Sequence, residues 1–528
     1  MGQFDRDLES IQQARDLSRK GKIAANKISD YTEEQIDRIL KNMVRVANDN
    51  EYCLAKLAVE ETGFGKVEDK KFKNHLASTI LYDAIKDMKT IDVIEEDTEK
   101  KTISIAEPVG LVLGIVPSTN PTSTVIFKAM IAIKSRNAIL FSAHPSAIKC
   151  TSTAAKLMHD AAVEAGAPKD IVSCLEICTM EATSELMKVP EISLIIATGG
   201  PGMVKAAYSS GKPALGVGAG NSPAYIEKTA NIEKAVKNII ASKTFDNGTI
   251  CASEQSVICE EANEVRVIEE LKKQGGYFMT KEETDKVCKL LFKQGHVMNA
   301  KCVGRSADVI AKAAGFEIPY GTKVLLGKQD GVGAGNPLSF EKLTTVLGFY
   351  VVKDWHEACE LSIELLQNGI GHTMSIHTED IDIVKKFAKK PASRILVNTG
   401  GSQGGTGAST GLMPSFTLGC GTWGGSSVSE NVTPMHLLNI KKVAYGLLDC
   451  ETLGKNIEDK KIEKIQIPDI FQEKKYNCCD SINLSPAQIK ASSMKNDEKN
   501  KNSDLKIADL NNKELLELVN KIVATMKG

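Results

Sequence analysis

The chain of 528 residues is 42% hydrophobic and 25% charged, and its 66 basic side chains almost cancel its 67 acidic ones. This length exceeds what a single hydrophobic core usually holds, so we expect two or more domains with a ligand cleft between them. The balanced charge gives no support to nucleic acid or an acidic membrane surface as a partner.

Residues 1–30 are charged and helical in pattern, without the apolar run of a signal peptide. No apolar stretch reaches the about 18 to 20 residues that a membrane span needs, since the run 111–116 ends at Pro117. We therefore expect a cytoplasmic protein with reduced thiols. Its 13 cysteines include no CxxC pair, and the closely spaced ones lack a His or carboxylate at ligand spacing, so we expect no metal site.

The predicted elements begin with a helical region. Up to about residue 95, apolar residues such as Ile36, Ile39 and Met43 recur at helical spacing. After the polar run 95–101, short apolar runs (LVLGIV, AILFSA, DIVSCLEI and ISLIIATGG) alternate with longer amphipathic stretches such as residues 147–166. Strands that alternate with helices predict right-handed βαβ units and a parallel sheet.

A second alternating region extends from about residue 235 to 428, with SVICE, GFYVV, MSIHT and RILVN as strand candidates. We divide the chain into a first α/β domain (1–234), a second (235–430), a C-terminal segment (431–453), a polar linker (454–503) and an amphipathic helix (504–528). The hexapeptide GVGAGN occurs at Gly216 and Gly331, but its flanking residues differ. We interpret it as a reused turn and not as a domain repeat.

The segment KTFDNGTICASEQSV places Cys251 in a Gly-containing turn before an apolar strand, where a thiol can face a cleft. One cysteine among many is by itself more often buried and inert. The segment resembles, however, the nucleophile segment of CoA-acylating aldehyde dehydrogenases, including the aldehyde dehydrogenase half of bifunctional aldehyde/alcohol dehydrogenases. Over residues 25–450 the chain is similar to that half, in the same order, at EPVGLVLGIVPSTNPTSTVIFK, NAILFSAHPSA, ATGGPGMVKAAYSSGKPALGVGAGNSP, NGIGHTMSIHT and LGCGTWGGSSVSENVTP.

This resemblance implies an α/β aldehyde dehydrogenase fold. Residues 1–234 would form a Rossmann-like NAD-binding domain, residues 235–430 a catalytic α/β domain with the nucleophilic cysteine, and a small β arm would serve oligomerisation. A hairpin at about 91–105 and a strand at about 433–448, within the segment 431–453, imply a homodimer or a dimer of dimers.

The tail 504–528 resembles the encapsulation peptides that direct enzymes into bacterial microcompartments. Its apolar face is expected to dock on a shell or cargo protein through Leu515, Val519, Ile522 and Val523. The alternative is a helix that packs against its own oligomer.

By the same resemblance, Cys251 attacks the aldehyde to form a thiohemiacetal, which loses hydride to the nicotinamide and becomes a thioester. The Asn120 amide and the backbone NH of Cys251 stabilise the oxyanion. Without the resemblance, Asn120 before Pro121 is equally well a turn residue. His372 is expected to act near the thioester, and a structural hydrogen-bonding role is equally open.

The expected dinucleotide site combines a Gly-rich turn with a glutamate. The string ATGGPGMVKAA follows a strand and opens a helix, although Lys205 replaces the third glycine of GxGxxG and a plain tight turn is an equal alternative. Glu341 resembles the glutamate that binds the nicotinamide ribose, with an exposed glutamate at a helix end as the alternative. The resemblance assigns to cofactor binding Pro117, Ser118, Thr119, Thr198, Gly199, Gly200, Val217, Gly218 and Glu341.

One departure separates two chemistries. Hydrolytic aldehyde dehydrogenases carry a glutamate general base in a segment that reads roughly LELGGKSP, whereas this chain has LGVGAGNSP with Val217 at that position. Valine cannot take a proton, so a thiol acceptor such as coenzyme A is favoured over water. Ser142 and Pro145 stand where many hydrolytic members contact the adenine ribose, so the choice of NAD over NADP rests on the resemblance alone.

The sequence thus predicts an oxidoreductase that converts acetaldehyde or propionaldehyde, with NAD and coenzyme A, into acyl-CoA inside a bacterial microcompartment. Chain length stays open because discrimination per methylene is only about 1–3 kcal/mol. A hydrolytic NAD(P)-dependent aldehyde dehydrogenase and a non-catalytic assembly protein of the same fold are the alternatives. The enzyme hypothesis also predicts that Cys251 has a low pKa in a cleft.

Overall fold

Three sheets organise the part of the chain that the computed structural model describes, namely residues 5–293, 297–367, 369–451 and 453. The predicted linker (454–503) and C-terminal helix (504–528) lie outside these residues. The strands are β1 Asp92–Asp97, β2 Thr102–Pro108, β3 Leu111–Ile115, β4 Ala138–Ser142, β5 Val172–Cys174, β6 Ile192–Thr198, β7 Ala214–Val217, β8 Ser222–Ile226, β9 Glu254–Glu260, β10 Gly276–Phe278, β11 Val324–Lys328, β12 Val346–Val352, β13 Gly371–His377, β14 Ala392–Val397 and β15 Leu438–Ala444.

The helices follow the predicted alternation with the strands. They are α1 Arg6–Ile28, α2 Glu33–Thr62, α3 Val67–His75, α4 Leu81–Ile85, α5 Pro121–Lys134, α6 Ile148–Glu164, α7 Met180–Leu186, α8 Pro201–Tyr208, α9 Ile232–Thr244, α10 Glu264–Lys273, α11 Lys281–Leu291, α12 Ala307–Ala314, α13 Trp355–Leu366, α14 Ile381–Phe387 and α15 Gly401–Gly405.

Local sequence explains where individual helices begin and how they pack. A capping box of Thr32 and Gln35 starts α2, which ends at the left-handed Gly63. Every residue of α5 is buried, which fits its apolar sequence, because a helix that is hydrophobic all round needs protein on all sides. Among the described residues, no helix combines the length and apolar character that crossing a membrane requires.

The five-stranded sheet is parallel, in the order β5-β4-β3-β6-β7. Strands β3 and β4 are buried along their whole length, as their apolar runs predict. The chain winds from β3 to β4 and β5 on one side and then returns to β6 and β7 on the other. The crevice at the carboxyl ends of β3 and β6 is therefore the switch point at which open α/β sheets bind ligands.

The seven-stranded sheet is also parallel, in the order β10-β11-β12-β9-β8-β13-β14. It contains all four strands predicted for the second region, so the parallel α/β architecture is confirmed. Its first strand in the chain is β8, which places the change of sheet between Val217 and Ser222, before the predicted boundary at 234. The assignment of functions to the two domains stays a prediction.

The third sheet is a small antiparallel one, in the order β1-β2-β15. It combines the predicted hairpin arm with the predicted C-terminal strand. Val93, Ile440 and Val443 on it are 42%, 42% and 39% exposed, and within the described residues β15 pairs with β2 alone. Its use in oligomerisation stays a prediction.

Candidate active site

A cavity of about 240 Å³ is lined by residues that follow β3, β6 and β7 and by residues that precede β9. It therefore lies at the switch point of the five-stranded sheet. Eleven of the twelve site residues assigned from the sequence lie in its walls: Pro117, Ser118, Thr119, Asn120, Thr198, Gly199, Gly200, Val217, Gly218, Cys251 and Glu341. His372 does not. The structure thus brings the assigned cysteine, amide and Gly-rich turn together, while their roles stay predictions.

A strained turn carries Cys251 to the cavity. After α9, Asp246, Asn247 and Gly248 have φ values of 47°, 51° and 75°. This left-handed region is costly for residues other than glycine and persists only where the surroundings impose it. The fully buried Asp246 accepts a hydrogen bond from the hydroxyl of Thr249 at 2.7 Å, which holds the turn against the segment that leads to Cys251.

The Cys251 thiol is held in its neutral form. Burial raises its pKa to about 12, and the neighbouring Glu341 carboxylate and Cys420 thiol add to this effect, while Arg394 opposes it. The expected low pKa is therefore wrong. Its physical reason is that protein atoms surround most of the sulfur, although the residue keeps some exposure to the cavity, and that the group exerting the largest charge effect on the sulfur is an acid and not a base.

Asn120 is the N-cap residue of α5. Its Oδ1 accepts a hydrogen bond from Lys73 Nζ at 2.6 Å. Its Nδ2 donates to the Thr249 carbonyl oxygen at 3.2 Å and to Thr119 Oγ1 at 3.1 Å. The amide nitrogen is therefore directed toward the segment that carries Cys251, which is where an oxyanion donor is required.

Glu341 is the only carboxylate among the described residues that line the cavity. Its Oε1 accepts a hydrogen bond from the backbone NH of Gly220 at 2.9 Å. Burial raises its pKa to about 7, against the opposing effects of the Gly220 NH, Lys243 and Lys342. It is half-buried in the loop before β12, so the alternative of an exposed glutamate at a helix end is wrong. A carboxyl group with this pKa can exchange a proton at neutral pH.

His372 lies behind the cavity wall, fully buried in β13. Its Nδ1 shares a hydrogen bond with Thr373 Oγ1 at 2.8 Å, and its Nε2 has no partner among the described residues. Burial, and then the charge of Arg394, lower its pKa well below the ordinary value, so the ring is neutral. The bonded, buried ring fits the structural alternative, and the role near the thioester stays a prediction.

The two positions considered for the adenine ribose carry no charge. Ser142 is buried, and its hydroxyl shares a hydrogen bond with Thr183 Oγ1 at 2.8 Å. Pro145 is exposed at the start of a short 3-10 turn. Neither side chain therefore selects between NAD and NADP by charge.

A cluster of buried charges that the sequence pattern did not predict lies beside the cavity. Lys70 and Lys73 on α3 both donate to the carboxylate of Asp246, and Lys73 also reaches Asn120. The segment DKKFKNH has the pattern of a solvated helix and gives no sign of burial. The Asp-Asn-Gly string before Cys251 was the available signal, since these residue types tolerate left-handed backbone.

Comparison with known proteins supports this description. The aldehyde dehydrogenase family model matches residues 6–335. The bifunctional aldehyde-alcohol dehydrogenase AdhE of Escherichia coli (strain K12) is 48% identical over 435 residues, which is 81% of this chain and 49% of that protein. The chain thus spans about half the length of this relative. An acetylating aldehyde dehydrogenase structure from Geobacillus thermoglucosidasius is 51% identical with a TM-score of 0.83, covering 85% of this chain and 99% of the other.

Two propionaldehyde dehydrogenase structures are also similar. One, from the fucose utilisation bacterial microcompartment of Clostridium phytofermentans, is 26% identical with a TM-score of 0.75 and covers 82% of this chain and 97% of its own. The other, from Rhodopseudomonas palustris with bound CoA and an acylated cysteine, is 28% identical with a TM-score of 0.75 and covers 82% of this chain and 97% of its own. The resemblance to acylating aldehyde dehydrogenases is confirmed. Together with the parallel sheets and the switch-point cavity, the match over residues 6–335 means that this chain belongs to the aldehyde dehydrogenase family.

Proposed function

We propose that this chain is a CoA-acylating aldehyde dehydrogenase that converts a short-chain aldehyde, NAD and coenzyme A into acyl-CoA and NADH. The observation that carries the proposal is that Cys251 and Asn120 meet in one cavity whose wall includes Val217, the residue that the sequence resemblance aligns with the hydrolytic base. The acetylating Geobacillus structure supports the same chemistry.

The cavity residues fit a dinucleotide. A Cβ atom on Gly200 or Gly218 would meet no atom within 4 Å, so a ligand can approach the backbone closely there. Gly200 is also the N-cap of α8, which no side chain caps. The helix start can therefore receive a pyrophosphate, and Thr198 and Glu341 would hold the nicotinamide half. When bound, NAD supplies the acceptor for the hydride that leaves the substrate carbon.

Cys251 supplies the nucleophile after its thiol proton has been removed. We assign the removal to Glu341, because it is the carboxylate that lines the same cavity, and we couple it to the attack on the aldehyde, because the Cys251 pKa of about 12 lies well above the Glu341 pKa of about 7. As the bond from Sγ to the aldehyde carbon forms, the carbonyl electron pair moves to oxygen. One N–H of Asn120 Nδ2, which exchanges its present bond to the Thr249 carbonyl oxygen or to Thr119 Oγ1 for the oxyanion, and the backbone NH of Cys251 donate to this oxyanion. Loss of hydride then leaves a thioester on Cys251.

The acyl group then passes from Cys251 to the thiolate of coenzyme A. A new carbon–sulfur bond forms and the bond to Cys251 breaks, so one thioester is exchanged for another with little change in energy. Val217 provides no base at the position from which hydrolytic members activate water, and Glu341 is assigned to the thiol proton, so hydrolysis is disfavoured. The Rhodopseudomonas palustris structure, with its bound CoA and acylated cysteine, supports a cysteine-bound acyl group and coenzyme A as its acceptor.

The test is the initial rate of NADH formation from acetaldehyde and from propionaldehyde, with and without coenzyme A. We expect strict dependence on coenzyme A, loss of activity in Cys251→Ala, and retention of activity in Cys150→Ala, a buried cysteine on α6. Equal rates without coenzyme A would overturn the acylating assignment in favour of hydrolysis. No NADH under any condition would favour an assembly protein of the same fold.

We further propose a homodimer or dimer of dimers, located in a bacterial microcompartment. The exposed edge of β15 supports the first part, and the similarity to the Clostridium phytofermentans enzyme supports the second. Sedimentation velocity of the full chain and of Val443→Asp tests the interface, and a monomer for both would contradict it. A fluorescent protein fused to residues 504–528 should enter microcompartments, and diffuse fluorescence would contradict the targeting.

A further inference from the structure

We infer that Lys73 is a positioning residue that orients and polarises the Asn120 amide at the oxyanion, and that Asp246 holds Lys73 in place. The inference rests on the proposed function, because an oxyanion forms there only if Cys251 attacks a carbonyl group. Lys73 lies outside the segments that carry the motif similarity, and Asp246 lies in the nucleophile segment without a role assigned from the sequence.

Lys73 connects three groups around the nucleophile. Its Nζ donates to Asn120 Oδ1 at 2.6 Å, to Thr249 Oγ1 at 3.1 Å and to the carboxylate of Asp246. These three bonds use all three donors of the ammonium group. Because Lys73 Nζ donates to Asn120 Oδ1, a rotation of the Asn120 amide by half a turn would place its NH₂ group against the Lys73 ammonium group, and two donors repel each other. Asn120 therefore keeps its nitrogen on the side of the Cys251 segment.

Asp246 is the anchor for two lysines from one turn of α3. Lys70 Nζ donates to Asp246 Oδ2 at 2.8 Å and also to the Thr119 carbonyl oxygen at 2.8 Å. Lys70 thus fixes the backbone immediately before Asn120, and Lys73 fixes the Asn120 side chain. Because Asp246 belongs to the left-handed turn before the nucleophile, the same cluster sets the amide relative to the thiol.

Burial gives this cluster its electrostatic effect. Lys70, Lys73 and Asp246 are 2%, 1% and 0% exposed. The Lys73 ammonium group lies directly on the Asn120 amide oxygen, while the carboxylates that act on this ammonium group, Asp246 and more weakly Asp69, lie away from the amide nitrogen. Burial lowers the pKa of Lys73 to about 8, against the opposing effect of Asp246, so its ammonium form is present at neutral pH. A cation on the amide oxygen strengthens the NH₂ group of Asn120 as a donor to an oxyanion.

The test is a double-mutant cycle on the full chain with Lys73→Met and Asn120→Ala. Asn120→Ala should lower kcat about 10²- to 10³-fold. Lys73→Met should lower kcat about 10- to 100-fold, with little change in the KM for aldehyde, because the lost interaction belongs to the transition state. In the Asn120→Ala background, Lys73→Met should cost less than about threefold, because its target is already absent. An equal loss of kcat in both backgrounds would overturn the inference.

Lys134→Met controls for the removal of a buried lysine, since Lys134 is also buried on α5 but donates to the Lys86 carbonyl oxygen. It should keep kcat while its unfolding temperature falls. If Lys73→Met does not fold, Lys73→Gln replaces it in the cycle, because glutamine retains a hydrogen-bond donor without the charge. Lys73→Gln should show a smaller loss of kcat with the same coupling to Asn120, and additive losses would overturn the inference. A wild-type chain without CoA-dependent NADH formation would refute the proposed function instead.

Discussion

Gly220 is a position at which one methyl group is expected to displace the nucleophile. It lies in the link between β7 and β8, and a Cβ atom there would be 2.8 Å from the carbonyl carbon of Cys251 and closer still to its oxygen. The fifth position of the second GVGAGN string is Gly335, where a Cβ atom would meet nothing within 4 Å. Gly220→Ala and Gly335→Ala are therefore a matched pair with the same neighbours in sequence and opposite amounts of space.

The expected loss follows from the overlap. Carbon atoms pack at about 3.5–4.0 Å, so the new methyl group of Gly220→Ala is about 0.7–1.2 Å too close to the carbonyl carbon of Cys251, and its overlap with the carbonyl oxygen is larger. The obstacle is backbone and cannot rotate away, so the two segments must separate by about this distance. A displacement of about 1 Å costs about 100-fold in rate, and overpacking costs about 1–3 kcal/mol of stability. Gly335→Ala should change neither.

The assay compares kcat/KM for NADH formation, the rate of Cys251 alkylation by iodoacetamide, and the unfolding temperature. Gly220→Ala should lose about 100-fold in kcat/KM while remaining folded, with altered alkylation as evidence that the thiol has moved. Activity within about threefold of the wild type would refute the view that this contact sets the position of the nucleophile. Equal losses in Gly335→Ala would show that the effect is not specific to the site.

Three further changes test the electrostatics of the fold and site. Val217→Glu should raise CoA-independent NADH formation at least about tenfold, since a placed general base contributes about 10²- to 10⁴-fold in rate. Val217→Gln is the uncharged control, and no gain of Val217→Glu over it would contradict the view that hydrolysis is slow for want of a base at this position. Glu341→Gln removes a charge that raises the pKa of Cys251, so alkylation should shift to lower pH while NADH formation falls, and an unmoved alkylation profile would contradict this coupling. Burial lowers the pKa of His377 from 6.5 to about 4, so at low pH the unfolded chain binds a proton that the folded chain does not. The stability associated with the neutral, buried ring is fully present above pH 6.5, and the free energy of unfolding declines by about 3 kcal/mol as the pH falls toward 4. His377→Leu should flatten the pH dependence of the unfolding temperature in that range, and the control His356→Gln, at an exposed histidine, should keep the steep dependence of the wild type. An equally steep dependence in both variants would contradict the assignment to His377.

The sheets could be predicted because strand-length apolar runs are a local property of the chain. The strings LVLGIV, AILFSA and ISLIIATGG form β3, β4 and β6, and the intervening helices account for their parallel order. The meeting of Asn120 with Gly200 follows from the same logic, because the carboxyl ends of neighbouring parallel strands share one edge.

The remaining features depend on contacts between distant parts of the chain. Lys73 and Asp246 are 173 positions apart, and a lysine on a charged helix looks like part of a solvated face. The raised pKa of Cys251 depends on enclosure by walls and on Glu341, neither of which the nucleophile motif encodes. The motif around His372 likewise carries no information about how deeply the ring is buried.

The two GVGAGN strings differ in what they connect. The first leads from β7 to β8 and so from the five-stranded to the seven-stranded sheet. Val217 lines the cavity, Gly220 lies against the backbone of Cys251, and Asn221 Nδ2 donates to two backbone carbonyl oxygens at 2.7 and 2.5 Å. The second string, residues 331–336, is absent from the described cavity walls. Because the first string joins the sheets and also touches the nucleophile, the spacing of the sheets and the position of Cys251 cannot change independently. Gly220 is therefore required in this link for the geometry of the reaction.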